Sequence, residues 1–99
     1  MRPICWVTLD KRRPALVLTR GVMVSRMSTV TIAPVTSTIH GIATEVLVGA
    51  VNGLRIASAV KCDQILSLPT SLLHDRCGFL LDEQEQDLHD AIQAAFDLV

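Results

Sequence analysis

The sequence predicts a mainly β domain of the α+β kind, with short helices and one C-terminal amphipathic helix, and three observations carry that expectation. Up to about Ser67 the apolar residues fall in short runs separated by Gly, Asn and charged turns, with no helical stripe. After Asp82, the residues Leu88, Ala91, Ile92, Ala95, Phe96 and Val99 recur at helical spacing. The 99 residues are 49% hydrophobic, yet only Trp6, Phe79 and Phe96 are aromatic. The core is therefore aliphatic and β-branched, disorder is excluded, and a chain this short supports a single domain over residues 1–99. The scarcity of rings also argues against RNA modules that stack several bases on aromatic platforms.

Taken in order, the apolar runs place strands at Ile4 to Leu9, Pro14 to Thr19, Thr29 to Thr36, Thr44 to Val48 and Ala57 to Ser67. Asp10 to Arg13 reads as a tight basic hairpin turn, and one helical turn is expected within Arg20 to Met27. Thr36 to Gly41, rich in Ser, Thr and Gly and carrying His40, reads as a mobile loop. Pro69 and the residues after it start a short helix over Thr70 to His74 that Gly78 closes, and Gly78 to Leu81 form a last strand. Asp82 and Glu85 stand in capping-box spacing at the head of the C-terminal helix, whose acidic face is exposed to water.

The net charge of −1 conceals two opposite halves. Residues 1–61 hold eight Lys or Arg against Asp10 and Glu45, a net of +6, while residues 62–99 hold Arg76 against eight acids, a net of −7. That asymmetry suggests a basic surface for a polyanion or an acidic partner. Cys5, Cys62 and Cys77 are odd in number and lack C-x-x-C spacing, which fits structural thiols in a reducing cytoplasm. His74 and Cys77 form an isolated H-x-x-C pair, so no metal and no cofactor are expected. Met1 to Leu9 is too short for a signal peptide, and Asn52 and Arg55 interrupt the apolar stretch Val46 to Val60. A soluble, cytoplasmic protein with no membrane partner is expected.

Five segments in order resemble the MazF/PemK toxins. Arg13-Pro14-Ala15-Leu16-Val17-Leu18 matches the family's Arg-Pro before an apolar strand, and Thr31 to Ser37 matches its strand ending in Pro-x-Thr-Ser. Glu45 to Val48, Asn52-Gly53-Leu54 leading to Ser58, and Asp63 to Leu68 also fit, as does Gly78 before the last helix. The resemblance implies an SH3-like β-barrel of the MazF/CcdB kind, a homodimer, sequence-specific endoribonuclease activity on single-stranded RNA, and a cognate MazE-like antitoxin. One departure stands out: where the family usually carries a Gly-rich, acid-containing loop between its first two strands, only Asp10-Lys11-Arg12 intervenes. The shorter connection bears on substrate preference. Two other readings are a CcdB-like toxin that binds gyrase without catalysis, and a degenerate member that binds antitoxin without cleaving RNA.

Antiparallel neighbours put the start of one strand beside the end of the next, so Arg13 and Thr36 are expected to meet at one barrel edge. The resemblance implies that these two carry catalysis. Arg13 suits the phosphate, because a guanidinium offers a fixed fork of donors and stays charged, and the Thr36 hydroxyl donates to the same group. Thr36 shares the parity of Val30 and Ile32, however, which directs it toward the core unless Pro34 marks a bulge. His40, an imidazole that can take part in proton transfer, sits in the adjacent loop. Ser58 and Gln64, six residues apart, are expected on one strand face; the resemblance puts both, and Ser37, near RNA, where Gln64 reads a base edge. Lys11, Arg12 and Arg20 add phosphate contacts without sequence information. His74 and His89 are expected on helix surfaces.

Overall fold

A computed structural model describes residues 1–21 and 26–98 of the chain. The described strands are β1 (Arg2–Thr8), β2 (Arg12–Val17), β3 (Thr29–Thr36), β4 (Glu45–Val48), β5 (Ser58–Lys61), β6 (Leu66–Pro69) and β7 (Leu73–Leu80), followed by helix α1 (Glu85–Ala95). They pair antiparallel in the order β4-β5-β3-β2-β1-β7, with β6 also on β3. The helical turn expected within Arg20 to Met27 falls on residues 22–25, outside the described residues.

The sheet curls about β3. One side of β3 pairs with β2; on the other side, Thr29 to Ile32 pair with β6, and Val35 and Thr36 pair with β5. Curling lets the sheet bury both faces over much of its area. Ile4, Leu16, Ala33 and Val35 point into a larger core completed by Val46, Val48, Val60, Cys62 and Leu80 and covered by Leu88 and Ala91 of α1. Residues of the opposite parity, Cys5, Val7, Ala15, Val17, Val30 and Ile32, form a smaller core with Leu68. Two buried faces explain why β1 and β2 read as nearly continuous apolar runs.

Three sequence expectations need correction. The single strand over Ala57 to Ser67 is two strands, because between Val35 and Ile32 β3 advances three residues while the chain opposite advances six, from Val60 to Leu66. The excess is taken up by a 3-10 turn, Cys62–Gln64, which drops Cys62 into the larger core. The helix over Thr70 to His74 shrinks to a 3-10 turn at Thr70–Leu72, and β7 starts five residues earlier than the expected Gly78. Pairing with β1, from Val7 opposite Leu73 to Arg2 opposite Leu80, overrides the polar local sequence. Finally, α1 begins after a 3-10 turn at Asp82–Gln84, and it is Gln84, not Glu85, that reaches back, its Oε1 accepting from the Leu81 N–H at 2.9 Å. Glu85 instead receives Arg2 Nε at 3.0 Å, tying the head of α1 to β1. The apolar stripe ends at Ala95, since Phe96 lies past the helix and is 53% exposed, and Val99 is outside the described residues.

Gly78 closes no helix. A Cβ there would stand 2.0 Å from the backbone oxygen of Asn52, so β7 and the Ala50–Asn52 turn touch backbone to backbone. The buried Asn52 side chain locks that contact, accepting from the Gly49 N–H and donating to the Phe79 carbonyl at 2.8 Å and to Gln84 Oε1 at 2.6 Å. No helix among the described residues is long and apolar enough to cross a membrane.

Candidate active site

Arg12 and Arg13 already belong to β2, so the first hairpin turns on Leu9, Asp10 and Lys11 alone. Arg13 has the parity of Ala15 and Val17 and therefore stands on the face of the smaller core. On β3, Pro34 is opposite Ala15, and the same register carried two residues further brings Thr36 opposite Arg13. The smaller core stops at Val7, Ala15 and Ile32. Beyond it the same face opens as a cleft of about 310 Å³ lined by Leu9, Asp10, Arg13, Pro34, Thr36, Gln64 and Leu66.

Thr36 thus keeps the parity of Val30 and Ile32, and no bulge is needed to free it, because β3 keeps one register with β2 through Pro34. Pro34 falls between the stretches of β3 paired with β6 and with β5, so its missing N–H costs no ladder bond on that side.

The cleft has one strong donor and one oriented hydroxyl. Arg13 makes a forked pair with Asp10, Nε to Oδ1 and Nη2 to Oδ2, both at 3.1 Å. The guanidinium hydrogen bonds hold the Asp10 carboxyl below its ordinary pKa, and the same carboxylate raises Arg13. A guanidinium has five N–H donors, so those that Asp10 does not engage remain for an anion in the cleft. Thr36 Oγ1 accepts from the backbone N–H of Thr38 at 2.9 Å, which leaves the hydroxyl hydrogen free to donate. Gln64, brought in by the Cys62–Gln64 turn, is exposed and offers donor and acceptor together.

The other candidates lie elsewhere. Ser37 and Ser58 line a separate, larger groove of about 720 Å³ on the opposite face, beside Trp6, Pro14, Leu54 and Ile56. Ser58 and Gln64 therefore share no strand face; Ser58 is buried and donates its hydroxyl to the Ile56 carbonyl at 2.9 Å. Lys11 is exposed in the hairpin turn, Arg12 stacks over Trp6 at 5.4 Å, and Arg20 follows the far end of β2. His40 is exposed and lines neither cavity. His74 stands on a strand rather than a helix, hydrogen-bonded to Thr8 Oγ1 at 2.7 Å. His89 is exposed on α1.

Two features escaped the sequence reading. From the sequence, Asp10 reads as a turn residue and a charge but not as a partner of Arg13, although its spacing of three from Arg13 across a short hairpin is a signal for pairing. The second is a buried ion pair between Glu45 and Lys61, opposite each other on β4 and β5. Glu45 also accepts the backbone N–H groups of His40, Gly41 and Ile42, and with Lys61 these hold its pKa at about 2. The run Thr36 to Gly41, expected to be mobile, is tethered there. Burial raises all three thiols, Cys62 to about 11. Among the described residues no group of three or more His, Cys, Asp or Glu gathers as a metal set requires.

Residues 4–96 match the family of PemK-like, MazF-like toxins of type II toxin-antitoxin systems. The chain is 50% identical over 98 residues to endoribonuclease MazF3 of Mycobacterium tuberculosis, covering 99% of this chain and 95% of that protein. The solved structure of the Mycobacterium tuberculosis toxin MazF-mt6 superposes with a TM-score of 0.96 at 49% identity, covering 99% of both chains. An endoribonuclease from a mycobacterial species, solved in complex with its cognate antitoxin, shares the fold at a TM-score of 0.86 and 21% identity, covering 98% of this chain and 93% of that one.

Proposed function

Because the chain belongs to the PemK-like, MazF-like toxin family, we propose that it is an endoribonuclease toxin cutting single-stranded RNA at specific sequences without a metal ion. The reading is carried by one observation: Arg13 and Thr36 are opposed in one cleft, on a chain half identical to an endoribonuclease.

Cleavage by the neighbouring 2′-hydroxyl builds negative charge on a pentacoordinate phosphate, and preorganised donors lower that barrier. Arg13 supplies the fixed charge through the N–H groups that Asp10 leaves free, and Thr36 donates its hydroxyl hydrogen to the same phosphate. Asp10 holds the guanidinium plane toward the cleft. Gln64 reads a base edge at the cleft wall, while Lys11 and Arg12 contact flanking phosphates. The products are a 2′,3′-cyclic phosphate and a 5′-hydroxyl. His40 takes no proton in this scheme, its ring lying outside the cleft lining.

The toxin works as a homodimer in the cytoplasm, where its RNA substrate lies and where three unpaired cysteines stay reduced. A cognate MazE-like antitoxin neutralises it by laying an acidic segment on the basic front half, which carries a net of +6. The test is incubation of the purified protein with defined single-stranded RNA in excess EDTA, with the new ends mapped. Cleavage leaving 5′-hydroxyl ends is expected. Strict dependence on added magnesium contradicts the metal-free mechanism, and intact RNA beside a gyrase complex points to a CcdB-like toxin instead.

A further inference from the structure

An ion pair is buried outside the cleft lining. Lys61 and Glu45 side chains are 5% and 1% exposed, yet neither lines the cleft and the scheme above uses neither. A buried ion pair is a poor device for stability alone, because desolvating both charges offsets most of their attraction. Its contacts point to another task. The Glu45 carboxylate takes backbone N–H groups from His40 at 3.1 Å, Gly41 at 2.8 Å and Ile42 at 3.4 Å. The connection they belong to, residues 37–44, is otherwise weakly held: Ser37 through Ala43 are exposed, Ile39 and Ile42 included. Gly41 adopts φ +70°, a bend that the carboxylate stabilises by collecting the amides on either side.

The near end of that connection is the Thr38 N–H that orients the Thr36 hydroxyl. Across the pair, Lys61 ends β5, whose Ala59 is opposite Thr36, and the next three residues form the turn that delivers Gln64 to the cleft. The two strands are stitched again by the Cys62 N–H donating to the Thr44 carbonyl at 3.0 Å.

We propose that the buried Glu45–Lys61 pair is a positioning device: it fixes the 37–44 connection so that the Thr38 N–H keeps the Thr36 hydroxyl turned with its hydrogen toward the scissile phosphate. The proposal rests on the catalytic reading of Thr36 given above. Glu45 and Lys61 touch no RNA, so their removal alters the turnover step and leaves binding nearly intact.

The experiment pairs Glu45→Gln with Lys61→Met, which removes both charges and keeps the volumes, and measures kcat, KM and melting temperature on an RNA with one cleavage site. A fall in kcat of about tenfold to a hundredfold is expected, of the size that small misplacements of a reacting group cause, with KM within about twofold of the wild type. Exchange of the Thr38 amide hydrogen accelerates in the same variant. In a Thr36→Ala background the double substitution costs nothing further, because the group it orients is gone. Wild-type kcat in the folded variant, or an equal loss in the Thr36→Ala background, overturns the proposal. If the double variant does not fold, Gly41→Val, whose branched side chain disfavours the φ of +70° at an exposed position with open space around it, disturbs the same connection from outside the core and is judged by the same criteria. A wild-type protein that leaves RNA intact removes the functional reading and this proposal with it; a cleaving wild type with an indifferent variant removes the positioning role only.

Discussion

Replacing Gly78 with Ala tests the close backbone approach between β7 and the Ala50–Asn52 turn. The added Cβ would stand 2.0 Å from the Asn52 oxygen and 3.1 Å from its carbonyl carbon, and these are backbone atoms that no rotamer change can move. β7 or the Ala50–Asn52 turn must therefore shift. Overpacking of this kind costs about 1–3 kcal/mol. The shift also pulls the Asn52 amide from the Phe79 carbonyl and from Gln84, and a buried donor left unpaired costs about 1–3 kcal/mol more. The sum is about 2–6 kcal/mol, which in a chain of this length lowers the melting temperature by roughly 10 °C or more. Thermal unfolding followed by circular dichroism reads the effect directly. A Gly78→Ala protein melting within about 2 °C of the wild type refutes the reasoning, because no arrangement with that contact intact accommodates the methyl group.

Three further outcomes follow from the same geometry. Leu88→Ala empties the contact that seats α1 on the larger core and should destabilise by about 2–5 kcal/mol in denaturant titration, a change under 1 kcal/mol arguing against the docking. Because Glu45 sits at about 2 in the fold against its ordinary 4.5, its stabilisation is complete above pH 4.5 and is lost as pH falls toward 2; acid unfolding should be steeper for the wild type than for Glu45→Gln/Lys61→Met, and equal profiles contradict the assignment. Asp10→Asn removes the carboxylate that aims Arg13 and should lower kcat by about tenfold while moving the melting temperature by at most about 2 °C. Unchanged turnover means Asp10 does not aim the guanidinium.

What the sequence revealed and what it hid divide along a physical line. β3 was legible to the residue, and β1, β2 and β4 nearly so, because each is an apolar run bounded by polar residues. The meeting of Arg13 and Thr36 was legible too, since it follows from antiparallel order alone. The break between β5 and β6 was not: Cys62-Asp63-Gln64 contains no Gly or Pro, and only pairing against β3 shows that three residues must loop out. β7 was hidden for a similar reason, its His74, Asp75 and Arg76 being polar residues on an edge strand that β1 recruits. The exposure of Thr36 depends on where the smaller core stops, and the Glu45–Lys61 pair on a strand register that brings together residues sixteen apart in sequence. Neither leaves a mark in local composition.

The central claim is that Arg13 and Thr36 perform catalysis on a fold that does not need them. It is tested most directly by measuring RNA cleavage rate and melting temperature side by side for the wild type, Arg13→Ala and Thr36→Ala. Arg13 is one-third exposed at a strand end, and Thr36 ends β3 at the cleft, so both variants should melt within a few degrees of the wild type, as surface truncations do. Loss of a donor to the developing phosphate charge should slow Arg13→Ala by roughly a hundredfold or more, with Thr36→Ala reduced in the same direction. An Arg13→Ala protein that folds and cleaves RNA at the wild-type rate contradicts the account.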